Sequence, residues 1–432
     1  MPSQRPRALG ARLCIAALFS LVTTLLAPRT ALAERVLAKD DDWEVYTDGR
    51  VGGFLSYVHG DNQPASSATG AISGGGWPIT VDTQSSPGPG TVDMWRVRSG
   101  FLANQLGLGV RGHVTPWTSV TGYVQIWAWI ESDNRDKKQV QTADVRQGYA
   151  KLEGPYGSFL AGRTRTLFSR GATDINVLYA HKWGVGFPNQ VDRRGPTLGM
   201  VGFGVMGSGF AAGMIYGTPT FHGLQLNVGL FDPAELQGAN WTGTKYPRPE
   251  AELTFEQKFG ATGKVVLFAD GAYQKVNRPG QCPQVPGDLC SDTAEGVGYG
   301  GRFEIGPFHL GASGYYGKGL GLNYFLEDAY ATGDAQNRLR PGDGYYVQTQ
   351  VVVNKFDFFA GWGIARVYRT DLDKSTPGLS VIKYQMGING GVVYNLTPNV
   401  HLDFEYFRAY AKWYLGQTQT LHCPSTGMTF NW

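Results

Sequence analysis

Residues 381–406 read VIKYQMGINGGVVYNLTPNVHLDFEY. Ile382, Tyr384, Met386, Ile388, Val392 and Tyr394 alternate with Lys383, Gln385, Asn389 and Asn395. After a turn at Thr397, Pro398 and Asn399, Val400, Leu402, Phe404 and Tyr406 alternate with His401, Asp403 and Glu405. A two-residue period puts each set on one face of a strand. The stretch therefore predicts an antiparallel hairpin with strands over 380–396 and 398–414. Sandwich strands usually have about five or six residues, whereas a tilted membrane-spanning strand needs about 9–11. Length thus favours a bilayer, where the apolar set meets lipid and the polar set lines water.

The pattern repeats along the chain. Leu224, Leu226, Val228 and Leu230 alternate with Gln225 and Asn227, and Ala251, Leu253 and Phe255 with Glu250, Glu252, Thr254 and Glu256. About 16 strands are predicted, over 43–58, 95–113, 118–131, 143–153, 157–165, 208–219, 222–231, 248–259, 262–276, 294–305, 307–318, 343–354, 355–369, 380–396, 398–414 and 420–432. Within 95–113 the apolar positions change phase, from Trp95, Val97 and Phe101 to Leu106, Leu108 and Val110, which calls for a bulge or loop segment between them. Tight turns at Gly306-Pro307 and Thr397–Asn399 contrast with long polar insertions at 60–93, 277–293 and 319–342. Short turns at one end and long loops at the other are a barrel pattern, and an even count near 16 encloses an aqueous lumen. The predicted fold is an all-β, transmembrane, antiparallel up-and-down barrel.

Composition agrees. The 432 residues are 42% hydrophobic, 17% charged and 13% aromatic, with 61 glycines. A disordered chain would be poorer in aromatics, and collagen needs a three-residue glycine period that is absent here. Residues 1–33 read as a secretory signal: Arg5, Arg7 and Arg12, then an apolar run from Ile15 to Ala27, then the A-x-A site Ala31-Leu32-Ala33. Residues 34–432 then form a single barrel domain. With Arg29, the signal holds four of the 38 Lys and Arg; the remaining 34 face 35 Asp and Glu, a net charge of about −1. Net charge therefore gives no support for a nucleic-acid partner.

Motifs for other functions are weak. Gly107-Leu-Gly-Val-Arg-Gly112 fits G-x-G-x-x-G, but a turn and a strand follow it instead of a helix. No G-x-S-x-G, Walker A or H-E-x-x-H is present, and the seven histidines are scattered, so neither an enzyme, a cofactor nor a metal is expected. Cys282 and Cys290 share a loop in an exported chain and are expected to form a disulfide. Trp127, Trp129, Trp183, Trp362, Trp413, Tyr394, Tyr406 and Tyr414 are candidates for an interface girdle, with some of them expected to line the pore instead.

The segments Leu108–Gly112, Ser119–Gln125, Val145–Leu152 and Gly157–Arg163, in that order, resemble the Gram-negative trimeric porins over most of residues 43–432. The final strand, with Thr426, Met428, Phe430 and Trp432 on one face, resembles the assembly signal of outer-membrane barrels, although Phe is the usual last residue. The resemblance implies outer-membrane residence, a homotrimer, surrounding lipid, and passage of small hydrophilic solutes and ions. It implies that the third loop, about 166–197, folds inward and narrows the pore. Family members usually carry several acidic residues there; this loop has Asp174 and Asp192 against Arg170, Lys182, Arg193 and Arg194. By family position Arg111 and Arg163 face the lumen, joined by Arg165 and Arg302. The expectation is a diffusion channel with weak anion preference. The alternatives are a substrate-specific channel for phosphate-like anions or sugars and, further off, an outer-membrane enzyme or a secreted lectin.

Overall fold

The computed structural model describes residues 34–61, 64, 90–98, 102, 104–128, 144–176, 200–234, 245–277, 282–283, 286–287, 289–322 and 333–432. Among them the strands are β1 (Arg35–Lys39), β2 (Trp43–Asp61), β3 (Thr91–Arg98), β4 (Asn104–Thr115), β5 (Thr118–Ala128), β6 (Asp144–Gly154), β7 (Gly157–Arg165), β8 (Phe210–Gly217) and β9 (Leu224–Phe231). They continue as β10 (Arg248–Phe259), β11 (Gly263–Asn277), β12 (Ser291–Ile305), β13 (Phe308–Lys318), β14 (Pro341–Val353), β15 (Phe356–Val367), β16 (Ile382–Asn395), β17 (Val400–Trp413) and β18 (Thr418–Asn431). Two short helices, α1 (Arg170–Ile175) and α2 (Asp371–Ser375), lie in the β7–β8 and β15–β16 connections.

Consecutive strands pair antiparallel, and β18 closes on β2 with Phe430 opposite Val51 and Thr426 opposite Leu55. The chain end completes the seam: the Trp432 N–H donates to the Gly49 carbonyl at 3.0 Å and the Gly49 N–H to the Trp432 carbonyl at 2.9 Å. A closed ring leaves no unpaired strand edge, which a bilayer requires. β2 pairs with β4 through residues 43–50 and with β3 through 54–61, so β3 and β4 share one place in a 16-strand barrel. The single strand expected over 95–113 is thus two segments. Trp95 and Val97 point outward on odd positions and Leu106, Leu108 and Val110 on even ones, and no unbroken strand can do both. β1 pairs with the start of β2.

The apolar set faces out. Leu224, Leu226, Val228 and Leu230 are 41–55% exposed, as are Leu402 and Phe404, and also Met428 and Phe430 of the final strand. The inner set is buried and mixed. Polar residues dominate on β10 and β11 (Arg248, Glu250, Glu252, Asp270, Gln274). Elsewhere the inner face departs from the expected polar lining. Phe54 and Val58 of β2, Phe359 of β15, Phe407, Ala409 and Trp413 of β17 and Leu421 of β18 form one cluster with Met200, Val201, Phe203 and Val205. These four belong to the connection before β8, so chain packed against the inner wall accounts for its apolar side chains. Contact is close at two glycines. A Cβ on Gly363 would lie 2.0 Å from the Phe203 carbonyl oxygen; one on Gly204, whose φ is +104°, would lie 2.0 Å from the Tyr345 carbonyl oxygen.

Candidate functional site: the barrel interior

After β7 the chain turns along the inner wall. Its base is tied by the Thr166 N–H to the Gly209 carbonyl, at 2.9 Å. Ser169 adopts a left-handed φ of 61° and α1 follows. The first N–H groups of a helical turn have no partner within it. Here wall carboxylates supply partners: the Phe168 N–H donates to Glu250 Oε2 at 2.8 Å and the Ser169 N–H to Asp270 Oδ2 at 3.1 Å. Arg170 binds Glu252 through Nε, 3.1 Å from both oxygens, and through Nη2. Asn227 Nδ2 donates to the same carboxylate at 3.2 Å, and Arg248 pairs with Glu250 at 2.8 Å. Glu250, Glu252 and Asp270 retain only 4%, 2% and 7% of their exposure.

The far end of α1 is held as well. Arg165 Nη1 donates to Asp174 Oδ1 at 2.7 Å and to Thr173 Oγ1 at 3.3 Å. Arg302 of β12 pairs with Glu304 at 2.7 Å and donates to the Asp174 carbonyl at 3.3 Å. Tyr346 of β14 donates its hydroxyl to Asn176 Oδ1 at 3.4 Å. Thr166–Asn176 therefore runs across the inner faces of β10 to β14.

The structure brings together Arg165, Arg170, Asp174 and Arg302. Arg163 is close by, lining a cavity of about 220 Å³ with Thr166, Phe210, Asp232 and Arg248. Arg111 lies apart, on the inner face of β4, bonded to Glu44 and to Glu34 at 2.6 Å and stacked 4.6 Å over the Tyr46 ring. Lys182, Asp192 and Arg193 fall outside the described residues. Cys282 and Cys290 are disulfide-bonded. Two residues nominated for the interface girdle, Trp127 and Trp413, are instead buried on the inner face, at 6% and 3% exposure, while Trp362 and Tyr406 point outward. The reason is parity: Trp127 shares the face of Tyr123 and Gln125, with its Nε1 donating to Gln125 Oε1 at 2.8 Å. Sequence reasoning placed Glu250 and Glu252 on the polar face of their strand and paired neither them nor Asp270 with the loop. Their inward parity was legible, but their partners lie about 80 to 100 positions away. Among the described residues no three metal-ligating side chains cluster.

A closed barrel with an apolar exterior and charged interior defines an outer-membrane β-barrel channel. Residues 17–412 match the Gram-negative porin family, and the chain belongs to it. No curated protein matches the sequence. Many solved structures share the fold, among them three outer-membrane proteins. The outer-membrane channel DcaP of Acinetobacter baumannii is 14% identical, with 92% of this chain and 100% of that one covered and a TM-score of 0.65. An anion-selective porin from Comamonas acidovorans is 13% identical over 90% and 100%, with a TM-score of 0.58. OmpF of Salmonella typhi, solved with daunomycin, is 10% identical over 93% and 100%, with a TM-score of 0.54.

Proposed function

We propose that this porin passes small hydrophilic solutes and ions by passive diffusion, with the β7–β8 connection as its constriction and a weak preference for anions. The carrying observation is the fastening of Thr166–Asn176 to the carboxylates of β10 and β11. Fastening buries the acidic partner and leaves the basic one toward the lumen: the Arg170 side chain is 21% exposed and that of Glu252 is 2%. Arg111 and Glu44 repeat the asymmetry at 42% and 15%. Arg165 and Asp174 reverse it at 28% and 51%, which is why the preference is weak. Charges at a narrow point concentrate the opposite ion. A homotrimer is part of the proposal; an OmpT of Vibrio cholerae sharing the fold is described in a trimer form. The test is the reversal potential of detergent-extracted protein in a planar bilayer under a salt gradient. Ohmic steps with an anion-favouring potential support the reading. A cation-favouring potential refutes the charge assignment, and absence of conductance from folded protein refutes the open channel.

A further inference from the structure

The connection from β13 to β14 reads as a long polar insertion, yet residues at both of its ends are buried. Leu320 and Leu339 are each 1% exposed, and Leu322 and Arg340 are buried with them. Two glycines make the turn that takes the chain inward. Gly319 and Gly321 have φ of +69° and +78°, a region other residues rarely enter, and they alternate with Leu320 and Leu322. The Gly319 N–H donates to the Arg340 carbonyl at 2.8 Å, which ties the two ends of the connection together. A Cβ on Gly319 would lie 2.8 Å from Leu339 Cδ1 and 3.2 Å from the Cβ of Ala294, a buried residue on the inner face of β12. The connection therefore folds back over the inner wall.

There it meets the β7–β8 connection. Gly296 has the inward parity of Ala294, and a Cβ on it would lie 2.7 Å from Leu320 Cδ2 and 2.8 Å from Phe168 Cζ, so both side chains close over one glycine. Phe168 and Met206, from the two limbs of the β7–β8 connection, form one apolar cluster with Leu320 and Leu339. Phe168 is thus held twice: its N–H by Glu250, and its ring by leucines of a different connection. The outer side of the contact is latched. The Leu339 N–H donates to Asp292 Oδ2 at 3.1 Å, and Lys318 binds the same carboxylate at 2.5 Å. Arg340 makes two bonds to Asp373 of α2, at 2.6 and 2.8 Å, in a pair that is 4% and 1% exposed. Thr370 Oγ1, at the start of α2, donates to Asp334 Oδ2 at 2.6 Å.

We propose that the β13–β14 connection is a second element of the constriction. Leu320 and Leu339 are positioning residues that seat the Phe168 ring, and the Arg340–Asp373 pair links the α2 connection to that seat. This rests on the reading of the β7–β8 connection as the constriction. Leu320 and Leu339 are too buried to border the water path, so they act on a passing ion only through what they hold. A close-packed aliphatic seat fixes an aromatic ring in one place, because a small gap already forfeits much of the contact.

The test is single-channel recording of the full-chain, detergent-extracted protein in planar bilayers, reading the variance of the open-channel current. L320A/L339A should raise that variance about tenfold, the order by which side chains in contact couple. F168A should give the same rise, and F168A/L320A/L339A should stay within about twofold of either, because all three remove one contact. R340Q leaves both leucines in place and should raise the variance in the same direction; a parent-like R340Q record would overturn the link to α2. E252Q, which loosens the same turn from the carboxylate side, is the reference. Parent-like variance in L320A/L339A beside a noisy E252Q would overturn the proposal alone. Parent-like variance in both would overturn the constriction reading and this proposal with it. A triple variant showing the product of the two separate rises would overturn the shared seat. Heat-modified gel mobility checks folding, and L320V/L339V reads the same quantity with a smaller rise if the alanine pair fails to fold.

Discussion

Replacing Glu252 by Gln tests whether the loop fastening governs conduction. Glu252 is 2% exposed, and Arg170 and Asn227 both donate to it. Removing one partner of a fully buried ion pair costs about 3–5 kcal/mol. Arg170 keeps 21% side-chain exposure, so water recovers part of that, leaving about 2 kcal/mol. A loss of ~2 kcal/mol lowers the ratio of fastened to loosened loop about 30-fold. The bonds from Phe168 and Ser169 to Glu250 and Asp270 remain, so the stub loosens locally and the barrel itself is unaffected. The expected single-channel record has the parent's conductance with added open-state noise. Selectivity separates the two partners. A unit charge ~7 Å from a passing ion contributes about 0.6 kcal/mol in water before salt screening. E252Q therefore shifts the anion-to-cation permeability ratio upward by about two- to fivefold, and R170Q shifts it downward by as much, although both add noise. The reasoning fails if R170Q raises anion preference, or if both variants conduct like the parent.

Three further outcomes are expected. In G363V the added side chain meets the Phe203 carbonyl, so the 200–209 segment should lift from the wall, becoming cleavable by added protease and raising conductance in the same channels. W432A removes a ring stacked on Phe430 at 5.7 Å and seated over Gly49; the folded, heat-modifiable fraction should fall several-fold on expression, and an unchanged yield would count against the terminal strand as assembly signal. In C282S/C290S thermal unfolding of the barrel should stay within a few degrees, because the disulfide spans eight positions of one connection, while protease cleavage in that loop should accelerate.

Much of the fold was legible in the alternation itself. Residue parity along 381–406 assigned lipid and lumen faces, since a strand's side chains must alternate, and the exposure of Leu402 and Phe404 against burial of Asp403 and Glu405 follows that rule. Even the break within 95–113 was written in its change of phase. Trp127 and Trp413 are the candidates that face inward, which their identity as aromatics does not state, whereas their parity does. The inner apolar cluster was illegible for a different reason. Phe407 and Phe203 meet 5.0 Å apart across 204 positions of sequence, a contact that local pattern does not encode.

By itself the sequence determined the strand period, the outward apolar face, the closing strand and the family, because each depends on local pattern and on the bilayer's demand that backbone groups be paired. Tertiary structure decided the electrostatics. Which carboxylate neutralises which arginine, and which partner of each pair is left toward water, depends on residues such as Arg170 and Glu252 that only barrel closure and the folding back of Thr166–Asn176 bring together.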